Sequence, residues 1–327
     1  MTDLKKIGLS ALAGSLVAFS ANAGELSVSG GAKMTYTADT GNEDVQNDGN
    51  RFGMQQAVAL SGSGELDNGH TVSLMHAYST AGGAKSTSTL TYDMGDMGSL
   101  TYQQDSGDLG IGKIDDVMPT ADEEVTNGVD TGASSNEALQ GKVDGGITGF
   151  NYNVSYDMVT INAGYSPKTT GSSTDDGTNS GAGALNSSTS FAVQIAPMDG
   201  LNVYAGMGDK GTGTAEDEHS TYAVTYSYGP VSAGYQISTI EVNGGGADEE
   251  TDAYGIAFAV NDNLSVSYGE QTMEKEGTTV DQEVSGYSVG YSMGGISIKA
   301  HQNKGEGIHN ESANESEHTE IAVSFAF

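Results

Sequence analysis

The chain has 327 residues, with 44 acidic and 12 basic side chains, a formal charge of −32 and no cysteine. That balance leaves no basic patch to neutralise phosphates, which excludes a nucleic-acid partner, and the absence of thiols excludes a disulfide scaffold. Apolar content of 36% with 48 glycines is poor material for one large packed interior, so the acidity points to a solvated surface or to a path for cations.

The first predicted element is a leader. Lys5 and Lys6 precede an apolar stretch from Ile7 to Phe19, too short to span a bilayer, and Ala21-Asn22-Ala23 is an A-x-A cleavage site. Residues 1–23 therefore read as a secretory signal peptide, and cleavage after Ala23 would leave a mature chain, 24–327, beginning Gly24-Glu25-Leu26. No later run of eighteen apolar residues suggests a transmembrane helix, so a mature chain that meets a membrane must do so with strands.

From Gly24 onward the pattern has period two. ELSVSGGAKMTYT sets Leu26, Val28, Met34 and Tyr36 against Ser27, Ser29, Lys33 and Thr35. FGMQQAVALSG, TVSLMHAYS, STLTYDM and SLTYQQ follow, and after a long interruption the alternation resumes in GFNYNVSYD. Then come VTINAGYS, STSFAVQIA, LNVYAGM, STYAVTYSY, VSAGYQIST, DAYGIAFAV, NLSVSYGEQ, EVSGYSVGYS, GISIKAHQ and HTEIAVSFAF, sixteen segments in all. Most approach the length that crosses a hydrocarbon core at a tilt, about 9–11 residues.

The connections alternate. Seven are tight turns carrying Gly, Asp, Asn or Pro, among them ELDNG, APMDG and SMGG. Eight are long: 39–51, 79–86, 105–147, 166–187, 208–219, 239–251, 272–283 and 303–316. Pro119, Pro167, Pro197 and Pro230 all fall in connections on this reading, as strands bonded on both edges require. The prediction is an all-β, sixteen-stranded, antiparallel transmembrane β-barrel with its ends meeting on the short-turn rim. The faces opposite the apolar rows are Gly, Ala, Ser, Thr and Asn rather than Lys and Glu, which suits the wall of a wet pore and not the outside of a soluble barrel. Gln56 and His76 break the apolar row; they mark either a bulge or a face turned toward another subunit.

The signal peptide, a mature chain near 300 residues, the eight-long and seven-short loop plan, the long third loop and the terminal Phe327 together resemble the sixteen-stranded general porins of Gram-negative outer membranes. The resemblance implies an outer-membrane channel for passive diffusion of small hydrophilic solutes and ions, and no enzyme. It implies a homotrimer, a third loop (105–147) folded into the pore, and Phe327 as the signal read by the barrel-insertion machinery. It also implies a constriction with acids on the loop and bases on the facing wall. The acids are present as Asp105, Asp108, Asp115, Asp116, Asp122, Glu123 and Glu124, offset by Lys113. The expected arginine cluster is not: Arg51 is the one arginine, and Lys33 and Lys299 are the clearest lumen-facing bases by strand parity. A cation preference is the expectation.

Three other readings come from different classes. A substrate-specific channel would line its path with aromatic side chains, and the chain has no tryptophan. A structural or adhesin barrel would be plugged. An outer-membrane hydrolase would need a Ser–His pair, and His70, His76, His219, His301, His309 and His318 have no catalytic or zinc-ligand spacing. No cofactor is expected; calcium on the acidic loops fits their charge, although no D-x-D-x-D-G ligand loop occurs.

Overall fold

The computed structural model describes residues 26–42, 50–79, 87–104, 109–129, 131, 148–167, 187–212 and 215–326. The leader, Asp105, Asp108 and Phe327 lie outside them. Sixteen strands form one closed barrel in which each pairs with its chain neighbours and the last pairs with the first. They are β1 (Ser27–Gly41), β2 (Phe52–Glu65), β3 (Thr71–Ser79), β4 (Thr87–Asp93), β5 (Ser99–Gln104), β6 (Gly149–Tyr156), β7 (Val159–Ser166) and β8 (Ser188–Met198). The second half is β9 (Leu201–Thr212), β10 (Ala215–Tyr228), β11 (Val231–Glu241), β12 (Glu249–Asn261), β13 (Leu264–Lys275), β14 (Gln282–Met293), β15 (Ile296–Glu306) and β16 (Glu315–Ala326).

Closure removes every free edge, so the apolar ending of the chain is explained by its partners. Met34 faces Val323 and Tyr36 faces Ile321 across β1 and β16, while Ile298 faces Val323 on the other edge. The outward rows carry Met34, Leu60, Tyr235, Ile256 and Ile321 in the open, Ile256 at 47% exposure. A barrel that turns such rows outward is built for hydrocarbon. No helix among the described residues is long and apolar enough to cross a membrane, which leaves the strands to do so.

Two details correct the sequence reading. Strands β9, β10, β12, β13, β15 and β16 extend past the apolar segments, so the link expected over 208–219 is mostly ladder and those over 239–251, 272–283 and 303–316 are shortened at both ends. The extensions are polar, with Lys275 of β13 pairing with Glu249 of β12 at 2.6 Å. Backbone pairing continues in water without needing apolar side chains, and alternation cannot mark where such a strand ends. Pro197 lies inside β8 rather than in a turn, where the β8–β9 register shifts between Ile195 and Met198. A residue with no N–H is accommodated where the ladder is already broken. The β2–β3 and β3–β4 registers run without a shift, so no bulge explains Gln56 and His76; His76 bonds Ser88 at 2.5 Å on the outer face.

Candidate functional site

Residues 109–129, the described core of the long connection between β5 and β6, run as a ribbon along the inward rows of β6–β16. The ribbon opens with a short 3-10 turn, Gly110–Ile114, whose Ile111 and Ile114 are buried. Wall side chains hold its backbone in sequence. Gly110 N–H donates to Asn151 Oδ1 at 2.9 Å and Ile111 N–H to Ser190 Oγ at 3.3 Å. Gln236 accepts from Val117 N–H at 3.3 Å and donates to the Asp115 carbonyl at 2.5 Å. Ala121 N–H donates to Ser267 and Ser288, and Asn303 donates to the carbonyls of Glu124 and Asn127.

Between these anchors the wall is cut away by inward glycines. A methyl group on Gly164 would stand 2.7 Å from Gly110 N, on Gly206 2.8 Å from Ile111 Cγ1, on Gly234 2.9 Å from Pro119 Cδ and on Gly255 3.0 Å from the Pro119 carbonyl oxygen. The track continues through Gly269 against Val125, Gly290 at 2.6 Å from the Ala121 carbonyl, and Gly305 against Val129. Glycine weakens a strand interior, and its recurrence here is explained by the close approach of a second backbone. The repeated AGY, AGM and YG runs within strands are the trace of this track in the sequence.

The charged residues sort into distinct positions. Asp122 is buried and doubly held: Lys299 Nζ lies 3.2 Å from Oδ1 and His301 Nδ1 2.8 Å from Oδ2. A carboxylate can only accept, so His301 carries its proton on Nδ1. Burial alone would raise the Asp122 carboxyl, but the hydrogen bonds from His301 and Lys299 outweigh it and hold it below the usual range. The ring of His301 lies 5.4 Å from that of His318, which bonds Asp39 of β1, and Gly128 of the ribbon packs against the His318 ring. Lys33 pairs with Glu320 at 2.8 Å and lies within electrostatic range of Glu123 and Asp122.

On the ribbon itself, desolvation pushes the Asp116 carboxyl up to about 6, opposed by the hydrogen bond from Met118 N–H and assisted by Glu124. Asp115 accepts from the Asp116 N–H, and Lys113 and Glu123 are exposed. Arg51 stands just before β2 and donates to the hydroxyl of Tyr36, on the outward row of β1, at 3.2 Å. Lys113, Asp115, Asp116, Asp122, Glu123 and Glu124 thus lie on the ribbon, with Lys33 and Lys299 on the wall near Asp122, whereas the Arg51 contact is at the outer rim. Sequence reasoning passed over His301, His318, Asp39, Glu320 and Gln236; the Lys299–His301 spacing, two residues apart on one strand face, was the available signal.

A family model described as Gram-negative porin matches residues 8–326. No curated protein sequence matches the chain. Among solved structures, a porin refined at 1.8 Å resolution superposes with a TM-score of 0.63 at 15% identity, covering 93% of this chain and all of that one. The anion-selective porin from Comamonas acidovorans gives 0.65 at 12% identity, covering 93% and 100%. OmpT, an outer membrane protein of Vibrio cholerae in its trimer form, gives 0.64 at 15%, covering 94% and 100%. With the closed sixteen-stranded barrel, its outward apolar rows and a family match over nearly the whole length, the chain belongs to the Gram-negative porin family and is an outer-membrane channel protein.

Proposed function

We propose that this porin is a water-filled channel for passive diffusion of small hydrophilic solutes and ions, that the 109–129 ribbon narrows it, and that it prefers cations. The observation that carries this reading is how the wall bases are used. Lys299 is committed to Asp122 and Lys33 to Glu320, with Lys33 also in range of Glu123, so Asp115, Asp116 and Glu124 are left without a wall base to balance them; Lys113 is the ribbon's one base. Fixed charge in a confined passage concentrates counter-ions far more than the same charge on an open surface. One similar fold belongs to an anion-selective porin, so the barrel itself does not set the sign; the side chains along the ribbon do.

The chain is exported by a leader cleaved after Ala23, is inserted with Phe327 as its terminal signal, and works as a homotrimer with the Gln56 and His76 face turned toward a neighbour. Planar-bilayer recording across a KCl gradient tests the channel and its sign together. A zero-current potential toward the potassium equilibrium value supports cation preference, and one toward the chloride value contradicts it. The preference fades as salt rises, because the Debye length is only about 8 Å at physiological ionic strength and shortens further.

A further inference from the structure

Residues 307–314 link β15 to β16 on the long-loop rim, and the link turns inward before it turns out. Its Ile308 is fully buried, where it forms an apolar cluster with Val125 and Val129 of the ribbon and Val284 of the β14 wall. Gly305 makes the room: a methyl group there would stand 2.6 Å from Ile308 Cδ1 and 2.7 Å from Val129 Cγ1. The backbone around this contact is left-handed at Gly307 (φ 63°), His309 (φ 59°) and Asn310 (φ 61°). Glycine accepts that conformation freely, but a histidine seldom does unless its surroundings hold it there. They do so here. His309 N–H donates to Gln282 Oε1 at 3.2 Å, the Asn310 side chain donates to the Val280 carbonyl at 3.0 Å, and a side chain on Gly307 would meet the Asp281 carbonyl.

The same link has an outer face. Glu311, Ser312 and Ala313 are exposed. Backbone bonds from Asn310 N–H to Gly307, Glu311 N–H to Ile308, Asn314 N–H to Glu311 and Ile308 N–H to Asn314 knot this tip and the buried anchor into one unit. Asn42, just past β1, ties the tip across the seam by donating to the Ala313 carbonyl at 2.8 Å. A displacement of the tip is therefore carried to Ile308, and from there to Val129, through atoms in contact. We propose that this link is an external lever on the ribbon: Ile308 is the positioning residue that seats the ribbon's end, and a load on the exposed tip shifts that end and with it the conductance. The strained turn supplies the second state, because freeing Ile308 lets His309 and Asn310 leave the left-handed region. The inference rests on the reading that the ribbon narrows the channel.

The test is planar-bilayer recording with the full chain, whose lack of cysteine makes introduced thiols unique. Ile308→Ala is expected to replace the single conductance level of wild type by switching between two levels. A residue that only filled space would lower the unfolding temperature and leave one level. The pair Val129→Cys and Ile308→Cys covers the case in which the alanine variant does not fold: oxidised, it is expected to hold one level, and reduced, to switch. Ser312→Cys carrying biotin is expected to lose conductance in one step when streptavidin is added on the side of the long loops, whereas the same load at Asn243→Cys on the β11–β12 link leaves it unchanged. The lever is overturned if Ile308→Ala and the reduced pair keep the wild-type level while Gly290→Val, which displaces the ribbon directly, alters it. It is equally overturned if the loads at Ser312 and Asn243 act alike. If Gly290→Val alters nothing either, the ribbon is not the constriction, and the reading beneath the lever falls with it.

Discussion

The wall of β1–β4 and the wall of β8–β16 are built on the same alternation, yet they differ in what their inner rows meet. No described residue of β1–β4 is buried, and its inward side chains bond one another, as Gln55 does Ser79. Across the barrel, inward Ala192, Thr221, Gln236, Ser238, Thr251, Gln271, His301, Asn303 and Ser316 are buried, many of them beneath the ribbon. One half of the circumference faces water and needs only small polar side chains. The other half is a shaped bed, with glycines where the ribbon's backbone comes close and amides or hydroxyls where its N–H and C=O groups need partners.

The sharpest way to break this contrast is to fill the bed. At Gly290 a side chain meets the Ala121 carbonyl, a backbone atom that cannot turn aside, so Gly290→Val should force the ribbon off the wall. A stability loss of about 1–3 kcal/mol is expected from overpacking, with a clear change in single-channel conductance. The matching enlargement on the open wall, Ala57→Val in β2, should leave both nearly unchanged. Equal effects at the two positions would mean that the bed is not specialised.

A smaller effect distinguishes the Asp116 and Asp122 carboxylates of the ribbon by the sign of their pH dependence. The Asp122 carboxyl is held below its ordinary value, so its stabilisation is present above about pH 4 and is lost as pH falls through the folded value. Asp122→Asn should therefore be less stable at neutral pH and should show a shallower acid fall. Asp116, raised to about 6, works the other way: the native state holds its proton more tightly, so stability declines as pH rises from about 4 through about 6. Asp116→Asn should remove that decline. Parallel profiles for the two variants would show that the two carboxyls do not occupy opposite environments.

The smallest change is expected on the outer face, where replacing Gln56 and His76 together by leucine should shift the monomer's stability by well under about 1 kcal/mol. The same pair should weaken trimers on unheated gels if those strands meet a neighbour.

Much of the barrel was legible because a closed sheet imposes period two on every strand, and Leu26 through Phe325 obey it. What parity could not say is what a face meets. It assigned Lys299 correctly to the lumen, but nothing in the spacing announced that Asp122 would neutralise it. Arg51 illustrates the reverse: two residues before Gly53 it falls on the inward phase, but past the end of a strand parity no longer holds, and its guanidinium reaches Tyr36. The glycine track was hidden for the same reason, since a glycine that makes room for a backbone 54 to 169 residues away is indistinguishable in sequence from one that turns a corner.

The most direct test of the acidic ribbon as the seat of selectivity is the zero-current potential of a quadruple variant, Asp115→Asn, Asp116→Asn, Glu123→Gln and Glu124→Gln, beside wild type in the same dilute KCl gradient. The wild-type channel should be cation-selective, and the variant should assemble and move toward zero. An unaltered reversal potential in an assembled variant, or an anion-selective wild type, would contradict the assignment of the ribbon to the constriction.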